Sequence, residues 1–387
     1  FRSGYVRIQA NATADIVRAA RRRFRRHNAA RKWVENELLH ALAQSWREPG
    51  VSTNEMREAM RGVADYRVAL ERMWPVLTPA ELLNDLYGSK ALLRLAGEKW
   101  FSEGEYLALF RPRVHEINDA RFSEHDAAVL DDAFEVLGPL PRRAGKIDEN
   151  DEVRTYGHIV IDEVQDLTPM QLRMVARRSL NGSMTVVGDI AQATGALAPR
   201  SWDDVLAHLP DRKPARVVGL SVGYRIPGSI MELADRVMAA AAPGLRAPRS
   251  VREGGTPPEF VHADPASLAA AAIEATNRLT AELSGGNVAV VCADGFVEEL
   301  SARLSEAGIS HGRAAATALD SGVTVVPVSL VKGLELDGVV VVEPSDIVEG
   351  DHVASKSFGL RSLYVALTRP TQRLVVVYAR ELPESMR

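Results

Sequence analysis

Seven short apolar runs dominate residues 156–387: His158–Ile161, Met184–Val187, Arg216–Leu220, Asn287–Cys292, Val323–Val328, Gly338–Val342 and Leu374–Tyr378. They are rich in β-branched residues and apolar nearly throughout. That is the pattern of strands buried on both faces of a parallel sheet, because a strand with one wet face alternates instead. Segments with helical character separate them: 169–179, 228–241, 266–283, 296–307 and 357–366. Strand and helix in alternation specify an α/β fold. A boundary near Leu209–Pro214 would divide the strands into two sheets, and the Pro- and Gly-rich stretch Ala247–Pro258 reads as a loop.

Residues 1–150 differ in character. From Asp15 to Gln44 apolar residues recur at helical spacing (Ile16, Ala20, Phe24, Trp33, Leu38, Leu42) without a proline. Glu55–Met73 and Glu81–Leu95 look alike in this respect. Thr78 before Pro79 and Glu81 predicts a helix start. A further helix is predicted from Ser123-Glu-His-Asp126 to about Leu137, stopped by Gly138-Pro139. Residues 142–154 are polar and read as a loop.

The chain has 387 residues, enough for two or three domains of ~100–200 residues each. Its 46% hydrophobic and 25% charged content excludes disordered and collagen-like architectures. No stretch reaches the ~18 apolar residues of a membrane helix. The lone Cys292 excludes an intrachain disulfide or a cysteine metal cluster and fits a reducing, cytoplasmic setting. With a net charge of −4, the chain is not a polyanion binder over its whole surface. It begins with Phe1, and we expect it to be a piece of a longer protein.

Five short segments carry the chemistry. In His158-Ile-Val-Ile-Asp162-Glu163-Val-Gln165-Asp166 an apolar strand delivers adjacent carboxylates at its C-terminal end. In a nucleotide-hydrolysing enzyme the first such carboxylate holds Mg²⁺ and the second orients or deprotonates the attacking water. In Met184-Thr-Val-Val-Gly188-Asp189-Ile-Ala-Gln192 a second strand ends in Gly-Asp, and the Gln after it can reach a γ-phosphate or its water. The others are Ser221-Val-Gly-Tyr224-Arg225-Ile-Pro227, Val331-Lys332-Gly333-Leu334-Glu335 and Leu363-Tyr364-Val365-Ala366-Leu367-Thr368-Arg369. Taken singly, Arg225 and Arg369 read as surface ion-pair residues and Tyr364 as core. Their order and spacing argue for one site.

This series resembles the motifs of superfamily 1 helicases of the UvrD/Rep kind over roughly residues 115–387. The resemblance implies two RecA-like parallel-sheet domains, the first incomplete, preceded by a mostly helical region. It makes Asp162 the Mg²⁺ ligand, Glu163 the catalytic carboxylate and Gln192 the γ-phosphate sensor. Arg225 and Arg369 become arginine fingers, and Glu335 the contact to the nucleotide ribose. ATP or GTP with Mg²⁺ is the implied cofactor.

Two departures narrow the likeness. No G-x-x-x-x-G-K-[ST] phosphate cradle occurs, since Gly88-Ser89-Lys90 lacks the earlier glycine and is followed by Ala91. The resemblance puts that cradle in a missing N-terminal part of the same protein. The base-stacking run expected after Gln192 is replaced by Ala193-Thr-Gly-Ala-Leu-Ala-Pro199, and Pro327-Val-Ser329 stands where a Thr-x-His is usual.

These features, with Trp74-Pro-Val-Leu-Thr-Pro-Ala-Glu-Leu-Leu and Gly182-Ser-Met-Thr-Val-Val-Gly-Asp-Ile-Ala-Gln, resemble the HelD branch. HelD proteins are helicase-like NTPases that bind bacterial RNA polymerase and release it from nucleic acid, some relatives protecting it from rifamycins. The implied domains are 1–110 (a helical HelD-specific region), 111–210 (the tail of the first RecA-like domain) and 211–387 (the second). The implied location is the bacterial cytoplasm, with the transcription machinery, and no membrane.

Outside the motifs, Arg18, Arg21, Arg22, Arg23, Arg25, Arg26, Arg31 and Lys32 lie in a stretch with no acid between Ile16 and Val34. Such a run is either a solvated helix face or a contact to DNA phosphates or an acidic polymerase surface. Cys292, on an expected buried strand, reads as core.

Overall fold

Val, Ile and Leu crowded along four central strands build the core of a parallel sheet. The computed structural model describes residues 6–46, 50–141, 153–195, 197–210, 212–245, 247–314, 322–350 and 355–387. The chain divides into two compact units. One comprises Phe1–Gly157 with Arg173–Leu180, the other His158–Leu172 with Asn181–Arg387.

The first unit is helical. Its helices include Ala10–Arg23, Arg31–Gln44, Thr53–Met60, Ala64–Met73, Pro79–Tyr87, Lys90–Gly97, Glu103–Leu109 and Asp126–Leu137. Three expected long helices are therefore each broken in two. The Asp15–Gln44 segment breaks at Phe24–Ala30, where long-range bonds outcompete helix continuation. There the His27 ring stacks on Trp74 and the Asn28 amide donates to the carbonyls of Leu77 and Gly138 at 2.9 Å each. The Glu55–Met73 segment breaks around Gly62. Glu81–Leu95 breaks at Gly88-Ser89, because the Ser89 hydroxyl caps the next helix by accepting from Leu92 N–H. The predicted start at Thr78 is a full capping box with Glu81, and Gly138 ends its helix at φ 72°. Most of the expected 142–154 loop lies outside the described residues.

The second unit holds the strands of the described residues: β1 (Ile159–Ile161), β2 (Met184–Val186), β3 (Val222–Gly223), β4 (Arg249–Ser250), β5 (Glu259–His262), β6 (Val288–Cys292), β7 (Gly312–Arg313), β8 (Val323–Pro327), β9 (Leu336–Val342) and β10 (Pro370–Tyr378). Six of them form one wholly parallel sheet in the order β5-β10-β9-β6-β8-β7. Helices cover both faces. Val339, Val341, Val291, Val326 and Val376 pack beneath helices Gly228–Ala241 and Lys356–Leu367. On the other face Val340, Val342, Val290, Val325 and Val377 pack beneath helices Leu268–Glu282 and Val297–Glu306, with Cys292 among them. The α/β class with a parallel sheet is thus observed. The two edge strands, β5 and β7, are not apparent in the sequence because both are short and contain polar residues themselves, Glu259 and His262 in β5 and Arg313 in β7.

β1 and β2 form a separate parallel pair, Ile159 facing Met184 and Ile161 facing Val186. Here two expectations fail. Neither strand is buried on both faces, and Val160 is 67% exposed. Arg216–Leu220 is not a strand. It has no ladder partner among the described residues, and Val217, Val218 and Leu220 are exposed, Leu220 at 83%. Its composition is that of a buried strand, but no described strand lies where it could pair.

Candidate active site

The candidate site is assembled within the second unit, from the ends of β1 and β2 and from segments beside the large sheet. The parallel ladder continues past β1 and β2, with Val187 N–H donating to Ile161 O (2.8 Å) and Val164 N–H to Val187 O (3.1 Å). Asp162 and Glu163 sit at this turn, both exposed. Glu163 adopts a left-handed backbone, φ 50° and ψ 41°, an uncommon and strained conformation for a non-glycine residue. Its N–H is satisfied by the Asp162 carboxylate at 2.9 Å.

From Glu163 a chain of hydrogen bonds runs to Arg369. The Gln165 amide donates to the Glu163 carboxylate, and its oxygen accepts from Asp189 N–H at 2.9 Å. The Asp189 carboxylate caps the turn Ile190–Gln192, accepting from Ala191 N–H, and also holds the Gln192 amide at 2.9 Å. The Gln192 oxygen accepts from the Arg369 guanidinium at 3.2 Å. Arg369 is 3% exposed and also donates to Val365 O at 2.9 Å, closing the end of the helix that precedes it. Burial, and then the charge of Arg225, pull its pKa down to about 10.

Arg225 and Glu335 meet each other, with a guanidinium nitrogen 2.7 Å from the carboxylate. This pair is partly exposed, so it holds little energy. Both residues, with Asp189, Gln192, Tyr224, Tyr364 and Thr368, line a cavity of about 270 Å³. The structure therefore brings Gln192, Arg225 and Glu335 to one cavity, and Glu163 and Arg369 to the two ends of one hydrogen-bonded chain. Arg21, Arg22, Arg23, Arg25 and Arg26 belong to the helical unit. There Arg26 pairs with Glu135 at 3.0 Å, and Arg23 lies over the rings of Phe24 and Trp33.

Other contributors surround these; the sequence marks Lys332 and Tyr224 within motifs but assigns them no role, and it does not mark Arg361 or Arg252. Lys332 reaches Asp166 at 2.6 Å, Gln192 O at 3.2 Å and Glu163 at 3.8 Å. Arg361 donates to Ile190 O and Ala193 O at 3.3 and 3.4 Å. Arg361 lies within the helix Lys356–Leu367 and Arg369 two residues beyond its end. Arg252 braces Arg225 from behind through its backbone carbonyl at 2.6 Å. Tyr224 offers a ring that is 81% exposed beside the cavity.

Among the described residues no group of three or more His, Cys, Asp or Glu side chains is arranged to hold a metal ion. The donors present are the exposed carboxylates of Asp162 and Glu163. That set fits Mg²⁺, which binds through one or two carboxylates and takes its remaining ligands from water and substrate phosphate.

No family model matches the chain. It is similar to the ATP-dependent DNA helicases UvrD2 of Mycobacterium bovis and of two strains of Mycobacterium tuberculosis, in each case 33% identical over 168 residues. The match covers 40% of this chain and 23% of each relative, so the chain spans under a quarter of the length of the curated relatives it matches. Among solved structures it is similar to the C-terminal domain of a possible DNA helicase from Lactobacillus plantarum. That likeness has 20% identity and a TM-score of 0.34, over 42% of this chain and 92% of the other.

Proposed function

We propose that the chain is the C-terminal part of a helicase-like NTP hydrolase that binds bacterial RNA polymerase and remodels it or releases it from nucleic acid. The observation that carries the hydrolase reading is the hydrogen-bonded chain from Glu163 to Arg369. Phosphoryl transfer needs an oriented water and a cation on the transferring group, held in fixed relation. A decayed, non-catalytic scaffold has no reason to keep both ends and every link between them.

In this reading Mg²⁺, when bound, would be held by Asp162 and would neutralise charge on the phosphates of ATP or GTP. Glu163 orients the water, Gln192 senses the γ-phosphate, and Arg225 and Arg369 bear on the transferring group. Glu335 takes the ribose and Tyr224 presents a face to the base. The phosphate cradle is assigned to a further part of the same protein. Residues 111–210 and 211–387 are then the contributions of two RecA-like domains, and 1–110 the polymerase-binding helical region.

The polymerase as partner rests on the motif resemblance and on the run Ala193–Pro199 after Gln192, which carries no aromatic residue for stacking bases. The similarity to UvrD2 favours a second reading, a DNA translocase. A pull-down of the full-length protein from a bacterial lysate, beside a strand-displacement assay, separates the two. Co-purifying polymerase subunits without unwinding support the first reading. Unwinding without polymerase supports the second.

A further inference from the structure

We propose that Gln165 is a positioning residue that aims the Glu163 carboxylate and locks it to the Gly188–Gln192 turn. The inference rests on the hydrolase reading of the site. Gln165 is 0% exposed, although it lies two residues from the exposed Glu163. Both ends of its amide are used, and the backbone decides which end faces where. Asp189 N–H can only donate, so the amide oxygen must face it, and the NH₂ is left for Glu163. The carboxylate is thereby held on one oxygen by a donor that cannot rotate away.

Gly188 is part of the same device. It has no positive φ, so its lack of a side chain is not a backbone requirement. A Cβ there would lie 2.8 Å from Val164 Cγ1, 3.1 Å from Val164 N and closer still to the Gln165 amide oxygen. The bare glycine lets the buried amide lie against the second turn.

Other charges act on Glu163 more loosely. Lys332 stands 3.8 Å away and is drawn closer to Asp166, while Arg369 acts from the far end of the chain. Gln165 is the only neutral side-chain donor that the described residues give to the Glu163 carboxylate. It links the carboxylate to the turn that carries Gln192, so movement of that turn would re-aim it.

The test uses the full-length protein with Gln165→Met and Gln165→Glu. Met keeps the volume and loses both hydrogen bonds. Glu keeps an acceptor for Asp189 N–H but offers Glu163 a like charge in place of a donor. Both variants should lose ~10- to 100-fold in kcat, the usual cost of losing the partner that orients a functional group, with KM within a few-fold of wild type. Affinity for mant-ATP, read by fluorescence, should hold in both. In a Glu163→Gln background, Gln165→Met should slow single-turnover hydrolysis no further, because the two act as one unit.

A merely structural glutamine would behave otherwise. It would weaken mant-ATP binding and add its loss to that of Glu163→Gln. Either of these results overturns the proposal, as does wild-type kcat in Gln165→Met. If the wild-type protein hydrolyses no nucleoside triphosphate, the hydrolase reading falls and the inference with it.

Discussion

Gly359→Ala should loosen the helix that carries Arg361 and leads into Arg369. Gly359 lies in Lys356–Leu367 against the short helix Pro344–Glu349. A Cβ at this position would stand 2.6 Å from Val348 Cα and 2.7 Å from Val348 C, with the Val348 carbonyl oxygen closer still. These are backbone atoms and cannot rotate aside, so the helices must separate by roughly 1 Å to restore ordinary contact. Overpacking of this kind costs about 1–3 kcal/mol, and an immovable neighbour argues for the upper end. Alanine returns about 1 kcal/mol in helix propensity, leaving a net loss of about 2 kcal/mol. A shift of roughly 1 Å also breaks the Arg361 bonds, which are already 3.3 and 3.4 Å long. Because the chain has two compact units, the measurement should be local, namely amide hydrogen exchange across residues 356–367. About 2 kcal/mol corresponds to exchange roughly 30-fold faster. Gly104→Ala, in an exposed helix with nothing within 4 Å of its Cβ, serves as the control and should slow exchange slightly in its own helix. Unchanged protection in Gly359→Ala would refute the argument that these two backbones touch.

Arg369→Lys in the full-length protein should slow hydrolysis by ~10³-fold, because a point charge cannot reproduce the guanidinium fork. On the polymerase reading, pull-down should survive the change, and loss of both together would reassign Arg369 to holding the helix end. Glu163→Gln should keep mant-ATP binding and slow turnover ~10³-fold or more, leaving a residual rate readable in single turnover, and turnover within a few-fold of wild type would remove Glu163 from its role. In the helical unit, burial pushes the Asp126 pKa up, but bonds from Arg111 and Ser123 outweigh it and hold the carboxyl at about 2, below its ordinary 3.8. The stability this contributes is complete above the unfolded pKa and lost as pH falls through the folded one, between about pH 4 and 2. Asp126→Asn should remove that part of the acid transition as seen by circular dichroism. Replacing Arg21, Arg22 and Arg25 with Gln should flatten the salt dependence of polymerase or DNA binding, and an unchanged slope would return them to a solvated face.

The large sheet was legible because its central strands are saturated with valine and need no side-chain partner to declare themselves. The candidate-site residues were legible because Asp-Glu, Gly-Asp-x-x-Gln and Tyr-Arg each come after an apolar run at fixed spacing. What escaped has physical causes. The breaks at Phe24–Ala30 and Gly88-Ser89 are made by long-range or capping bonds, and helical spacing alone cannot signal them. Lys332 acts across more than 160 residues of sequence on Asp166, so its motif marks the residue but cannot name its partner. Arg216–Leu220 failed in the opposite sense. Its residues suit a buried strand, and the described structure leaves it without a neighbour.

That unpaired segment bears on how the polypeptide behaves in a test tube or a cell. Among the described residues β1 and β2 pair only with each other, leaving the outer edges of a two-stranded ladder open, and Val160, Val217, Val218, Leu220 and Val222 turn apolar surface to water. Open strand edges and exposed β-branched residues are the ingredients of sheet-to-sheet self-association. Expressed on its own at high concentration, this stretch should drive the chain toward oligomers and insoluble aggregates.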